Sequence, residues 1–184
     1  MTISPIDISH ADELAELAKS IYKEYYLHLW HPGGADWYMY EYAYANEKLK
    51  SELADPNNLH FVIYENGQPM GYLKIKLDAA WEGLDPQKSL EIERIYLHKA
   101  IGGKGIGKKL MLLSEEVAME RKKETIFLKA MDTSKDAIRF YQNMGYSICG
   151  TLTLPFPQMK EEYRGMVVLK KRFEQMNIEQ ETDK

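Results

Sequence analysis

The sequence predicts a single domain of the α/β class, α+β in kind, with helices packed on one sheet. Asn66-Gly67, the strongest short-range hairpin signal, separates two β-prone runs. A strand, a glycine-rich loop and a helix succeed one another over residues 90–121, and strand, helix and strand fill 125–152. The 184 residues suffice for one domain with a real core and are too few for two. Residues 1–173 are therefore read as one unit, and the polar stretch 174–184 as a frayed tail.

A short leading strand gives way to a helix in which Ser9 stands as N-cap and Asp12 and Glu13 occupy the first turn. Leu14, Leu17, Ala18, Ile21 and Tyr22 recur there at helical spacing. His31-Pro32-Gly33-Gly34 breaks the chain. Residues 36–53 resume a helical pattern bearing Trp37, Tyr38, Tyr40, Tyr42 and Tyr44, rings that cannot all face one core. The hairpin strands cover 59–65 and 70–77, and a loop with Gly83 and Pro86 leads into a strand at 90–97. Ile106, Leu110, Leu113 and Val117 mark a helix over 106–121. A strand at 125–131, a helix at 135–144 closed by Gly145, and strands at 146–152 and 162–171 complete the domain.

Charge and composition exclude several functions. Lys and Arg total 24 against 28 Asp and Glu, a formal net charge of −4, which argues against nucleic-acid and anionic-membrane partners. Cys149 is the only cysteine, so neither an intrachain disulfide framework nor a thiolate zinc cluster is expected. His28, His31, His60 and His98 show no metal-ligand spacing, and no metal is assigned. The start carries no basic segment followed by an apolar run, and no stretch approaches the roughly 18 apolar residues of a membrane span. A cytoplasmic protein is expected.

The chemistry concentrates in residues 90–109. Apolar residues alternate at Leu90 and Ile92, then resume at Ile95 and Leu97 on the opposite parity, so the strand register slips by one. Such an insertion is a β-bulge, which bends the strand and leaves backbone groups free to pair with an amide-bearing ligand. Gly102-Gly103-Lys104-Gly105-Ile106-Gly107-Lys108 then opens a helix whose first-turn amides point at an anion, the pattern of a diphosphate cradle. A merely tight loop is the alternative. Lys109 stands where a P-loop needs Ser or Thr for magnesium, and Lys108 occupies the place of the third glycine of a dinucleotide fingerprint, so both nucleotide readings fail.

A second segment, Ala137-Ile138-Arg139-Phe140-Tyr141 with Met144-Gly145-Tyr146, follows the bulged strand, glycine loop and helix in order. Together the two segments resemble the GNAT family of N-acetyltransferases over residues 61–173. The run Leu90-Glu91-Ile92-Glu93-Arg94-Ile95-Tyr96 further resembles spermidine and spermine acetyltransferases of the PaiA type. The resemblance implies the GNAT fold: a central mixed, mostly antiparallel sheet with a bulged fourth strand, flanked by helices. It implies acetyl-coenzyme A as acetyl donor. Its diphosphate would rest on the amides of Gly103, Lys104, Gly105, Ile106, Gly107 and Lys108, and its pantetheine arm along Ile95, Tyr96 and Leu97. Gly102 departs from the Gln or Arg usual at the loop's first position, which shifts the phosphate contact to Lys104 or Lys108. The family's asparagine that contacts pantetheine is replaced by Ser134, which can equally be a helix N-cap.

The resemblance also assigns roles. Tyr141 would protonate the departing thiolate as general acid, against the alternative of an ordinary core aromatic. Glu91 and Glu93, sharing a face before the bulge, would accept the proton of an incoming ammonium, or else are solvent-facing strand charges. The oxyanion would be held by a bulge amide, with direct attack and no covalent enzyme intermediate. Cys149 is then not required and is read as a small buried filler. The acceptor is expected to be a small-molecule amine, a polyamine or other small cation, held by the aromatics of residues 30–44 with Asp36, Asp78, Glu82 and Asp85. A homodimer interface is the alternative use of those aromatics. A protein acetyltransferase and a silent acyl-coenzyme A binding module remain the competing functions.

Overall fold

The computed structural model describes residues 1–173; the expected frayed tail, 174–184, lies outside the described residues. The chain runs through β1 (Thr2–Pro5), α1 (Ala11–Tyr25), α2 (Gly34–Asp36, continuing as a wider π-turn over Trp37–Tyr42), α3 (Asn46–Ala54), β2 (Asn58–Glu65), β3 (Gln68–Lys76) and β4 (Ser89–Leu97). It continues with α4 (Ile106–Glu120), β5 (Thr125–Met131), α5 (Lys135–Asn143), β6 (Ser147–Thr153) and β7 (Gly165–Arg172). No helix among the described residues is long and apolar enough to cross a membrane.

Asn66 and Gly67 both take positive φ, 52° and 76°, as a type I′ turn requires, and fold β3 back on β2. The strands form one seven-stranded sheet in the order β1-β2-β3-β4-β5-β7-β6, antiparallel throughout except for the parallel pair β4/β5. The mixed, mostly antiparallel sheet with a bulge in β4 is thus observed, and the β2/β3 and β6/β7 pairs carry register shifts as well. Side-chain alternation splits the core in two. Ile63, Leu73, Ile75 and Leu128 pack on one face with Leu110 and Ile138 from α4 and α5. Val62 and Tyr72 pack on the other with Leu14, Ile21 and Leu49 from α1 and α3.

Two local expectations are corrected. Helix α1 begins at Ala11 rather than behind Ser9, because Asp7 caps a preceding 3-10 turn by accepting from the Ser9 amide and His10 takes the N-cap position of α1. The helix expected over 36–53 is interrupted between Tyr42 and Asn46, where Ala45 adopts an extended ψ of 135°. The break turns Tyr44 inward, fully buried, with its hydroxyl 3.2 Å from that of Tyr72. Tyr40 and Tyr42 stay on the surface, so the five rings do divide between core and solvent.

Candidate active site

β4 and β5 pair only from Ser89 to Ile92 against Thr125 to Leu128; beyond that point the two strands diverge. Residues 93–97 of β4 stay bonded to β3 on one side and present a free backbone edge on the other. An unpaired edge inside a sheet is a template for an extended, amide-bearing ligand to add as a strand. The cause is the bulge: Ile75 faces Ile92 while Lys74 faces Arg94, so Glu93 is the extra residue. The sequence placed Glu93 before the bulge; it is the bulge. Its insertion brings both Glu93 and Arg94 to the α1/α3 face, together with Glu91 and Tyr96, and leaves Ile95 and Leu97 packed against the α4/α5 core.

At the end of this free edge the glycine loop enters α4. Gly103 and Gly105 hold φ of 72° and 76°, and a Cβ on either would meet nothing within 4 Å, so the glycines serve backbone conformation and leave the loop open. Gly105 is the N-cap of α4 and no side chain caps the helix. The first-turn amides of Ile106, Gly107 and Lys108 therefore face outward at the positive end of a 15-residue helix. Lys104 is tied to Glu65 at 3.0 Å, whereas Lys108 has no ion-pair partner among the described residues. Gly107 borders a groove with Ile95, Leu97, Tyr26, Phe140 and Tyr141, and this groove joins the loop to the cleft between β4 and β5.

Helix α5 supplies the opposite wall. Ser134, Ala137 and Tyr141, spaced three and four apart, line the cleft on one helical face. Ser134 occupies the N-cap position but makes no side-chain capping bond, so its hydroxyl remains available to the cleft. Tyr141 borders both the groove and the cleft, and no described residue hydrogen-bonds its hydroxyl. Burial, reinforced by nearby Tyr96, pushes its phenol above the ordinary value, so it stays protonated. An open groove, free strand edge and uncapped helix start fit a diphosphate with an extended amide-bearing arm.

The cleft widens into a chamber of about 440 Å³ under α1 and α2. The π-turn stacks Trp37 on Tyr42, with ring centroids 5.0 Å apart, and brings Tyr38 over Tyr22 at 4.9 Å. At the chamber floor four charges interlock. Arg94 grips Glu52 of α3 with two hydrogen bonds of 2.7 and 3.1 Å, and Lys74 binds Glu52 at 3.1 Å and Glu93 at 2.8 Å. Burial alone would raise the Glu52 carboxyl, but Arg94 and then Lys74 outweigh it and hold it below the ordinary range. Burial and neighbouring Lys74 push His60, on the adjacent strand, down to about 4, so it is neutral. Glu91 lies deeper, paired with Lys129 at 2.8 Å.

Removing one member of such a quartet leaves uncompensated buried charge. Glu52→Gln is expected to cost about 3–5 kcal/mol of stability, read as a lower thermal midpoint by calorimetry. A wild-type midpoint would mean the quartet is solvated. The contribution has a sign in pH as well: Glu52 titrates below its unfolded value, so its share is present above the ordinary carboxylate range and lost on acidification below 4.5.

The structure brings together Tyr141, Ser134, Glu91, Glu93 and the edge Ile95, Tyr96 and Leu97, with the loop at Gly107 opening onto the same groove. It does not bring in Asp36, Asp78, Glu82 or Asp85, none of which lines the cleft. Asp78 is paired with Lys123 instead. Cys149 is half-buried on the outer strand β6, beside Phe127 and Val168, rather than fully buried. Glu52, Arg94 and Lys129 were not foreseen. Arg94 alone had a signal, since it directly follows the register slip.

The bulged strand, the glycine loop and the α5 tyrosine thus converge on one groove and cleft. Residues 15–146 match the Acetyltransferase (GNAT) family, and the chain belongs to that family. An uncharacterized N-acetyltransferase encoded in the pepI 3′ region of Lactobacillus delbrueckii subsp. lactis is 37% identical over 100 residues, 54% of this chain and 57% of that protein. The chain thus spans little more than half the length of that relative. Spermine/spermidine N(1)-acetyltransferase of Bacillus subtilis is 26% identical over 111 residues, 58% of this chain and 73% of the relative. PaiA N-acetyltransferase of Thermoplasma acidophilum, crystallised with coenzyme A, shares the fold with a TM-score of 0.73 at 20% identity, over 94% of this chain and 100% of that one.

Proposed function

We propose that this protein transfers an acetyl group from acetyl-coenzyme A to the primary amine of a small cationic molecule. The observation that carries the reading is the free edge of β4 at residues 93–97, running from the uncapped start of α4 to the chamber where Tyr141 and the carboxylates meet. Acetyl-coenzyme A, as co-substrate, supplies the acetyl carbonyl as a thioester. The amides of Gly103 through Lys108 bind its diphosphate, with Lys108, which has no ion pair among the described residues, beside them. Ile95, Tyr96 and Leu97 align its arm, and the Ser134 hydroxyl adds a hydrogen bond.

The acceptor ammonium first gives a proton to Glu93 or Glu91, and the freed nitrogen then forms a bond to the carbonyl carbon. A bulge amide receives the oxyanion. The carbon–sulfur bond breaks, Tyr141 offers its proton to the sulfur, and the second nitrogen proton returns the phenol to its neutral state through water. The balance is one amide, one thiol and one proton to solvent. Polyamines are the acceptors that the name of the Bacillus relative favours. A thiol-release assay against amines and peptides tests the transfer itself.

The two carboxylates separate by kinetics. The Glu→Gln change at the base is expected to lower turnover most where the amine is protonated, with rescue as pH rises. At a residue that only attracts cations it raises KM instead, most for the most highly charged amine, and the effect fades in salt. Wild-type kinetics in both Glu91→Gln and Glu93→Gln at every pH would remove both from the reaction.

A further inference from the structure

Resting on the transferase reading above, we infer that the acceptor is a monoamine with an apolar body, aliphatic or aromatic, rather than a polycation. The chamber lining holds two kinds of residue, paired charges and apolar or aromatic side chains. Around the carboxylates, each negative charge already has a partner: Glu52 holds Arg94 and Lys74, Glu93 holds Lys74, and Glu91 holds Lys129. Three carboxylates thus face Arg94, Lys74 and Lys129, and Lys48 adds a cation above the Tyr42 ring with no ion pair among the described residues. The rest of the lining carries no carboxylate, and Leu29, Tyr38, Leu154, Phe156, Met159 and Met166 give it an apolar share.

One ammonium fits this arrangement, because it surrenders its proton on reaction and meets aromatic faces on the way in. A second and third ammonium do not. They would be desolvated against an apolar wall with no free counter-charge, beside lysine and arginine cations that repel them, a cost of several kcal/mol for each unpaired charge. An alkyl or aryl body gains from the same wall, where ring edges and flexible thioethers adapt to its shape.

The test compares kcat/KM for 2-phenylethylamine, hexylamine, spermidine and a peptide starting with leucine, at low and high salt. The expected result is that the two monoamines exceed spermidine by about tenfold or more, with little salt dependence. Phe156→Ala, at a half-buried lining residue, is expected to lower kcat/KM for 2-phenylethylamine by about tenfold, with unchanged coenzyme A affinity showing that the site is still folded. Spermidine as the best acceptor, with a KM that rises in salt, would overturn this inference and leave the transferase reading standing. Preference for the peptide would do the same. Absence of thiol release with every amine would overturn both.

Discussion

Gly107→Glu is expected to abolish coenzyme A binding while the protein folds at least as stably as before. Gly107 is the second residue of α4 and borders the groove that leads from the glycine loop to Tyr141. A carboxylate there would stand where the diphosphate must sit and answer the helix amides in its place. The fold tolerates the change for three reasons. A Cβ at Gly107 would lie 3.5 Å from Phe140 Cζ, an ordinary contact. Replacing glycine inside a helix gains up to about 1 kcal/mol of propensity. An acidic residue in the first turn complements the dipole by about 0.3–1 kcal/mol. Gly105 is the poorer target, since its φ of 76° makes any side chain a strain and confounds binding with folding. Calorimetric titration beside a thermal melt reads both quantities; unchanged affinity in the mutant removes the cradle from the glycine loop.

Tyr141→Phe is expected to lower turnover about ten- to a thousandfold with little change in coenzyme A affinity. The ring is packed with Phe140 and Tyr146, at centroid distances of 5.3 and 6.4 Å, and phenylalanine preserves both contacts. The hydroxyl makes no hydrogen bond to a described residue, so its loss costs no protein contact. What disappears is a proton donor held neutral by burial at the junction of groove and chamber. Single-turnover rates separate the chemical step from product release. A wild-type rate for that step means the thiolate leaves without help from this side chain.

The elements that position the cofactor edge were legible because their signals are local. Asn66-Gly67 declares a turn with two positive φ values, the parity change between Ile92 and Ile95 declares the bulge, and the glycines of 102–107 declare an open helix start. The acceptor chamber was not legible, because it is made by distant pairings. Glu52 and Arg94 are 42 residues apart, and nothing around Glu52 marks it as anything but a helix-surface charge. The break before α3 was hidden for the same reason: residues 43–45 have helical composition, and only the burial of Tyr44 against Tyr72 turns the chain. Tertiary contact overrode propensity there. The carboxylates Asp36, Asp78, Glu82 and Asp85 lie in segments that the family resemblance assigns to the acceptor pocket, and a resemblance does not say where the side chains of a variable loop fold.

The most direct measurement of the central claim follows the acetyl group itself. Acetyl-coenzyme A labelled with deuterium in the acetyl methyl is incubated with the protein and a primary amine, and products are read by mass. The label is expected on the amine nitrogen, one per thiol released, with none retained on the protein after denaturation, because a base, a proton donor and an open thioester edge need no acyl-enzyme. Label released only as acetate, or found covalently on the protein with none on the amine, would contradict direct transfer to an amine in this chamber.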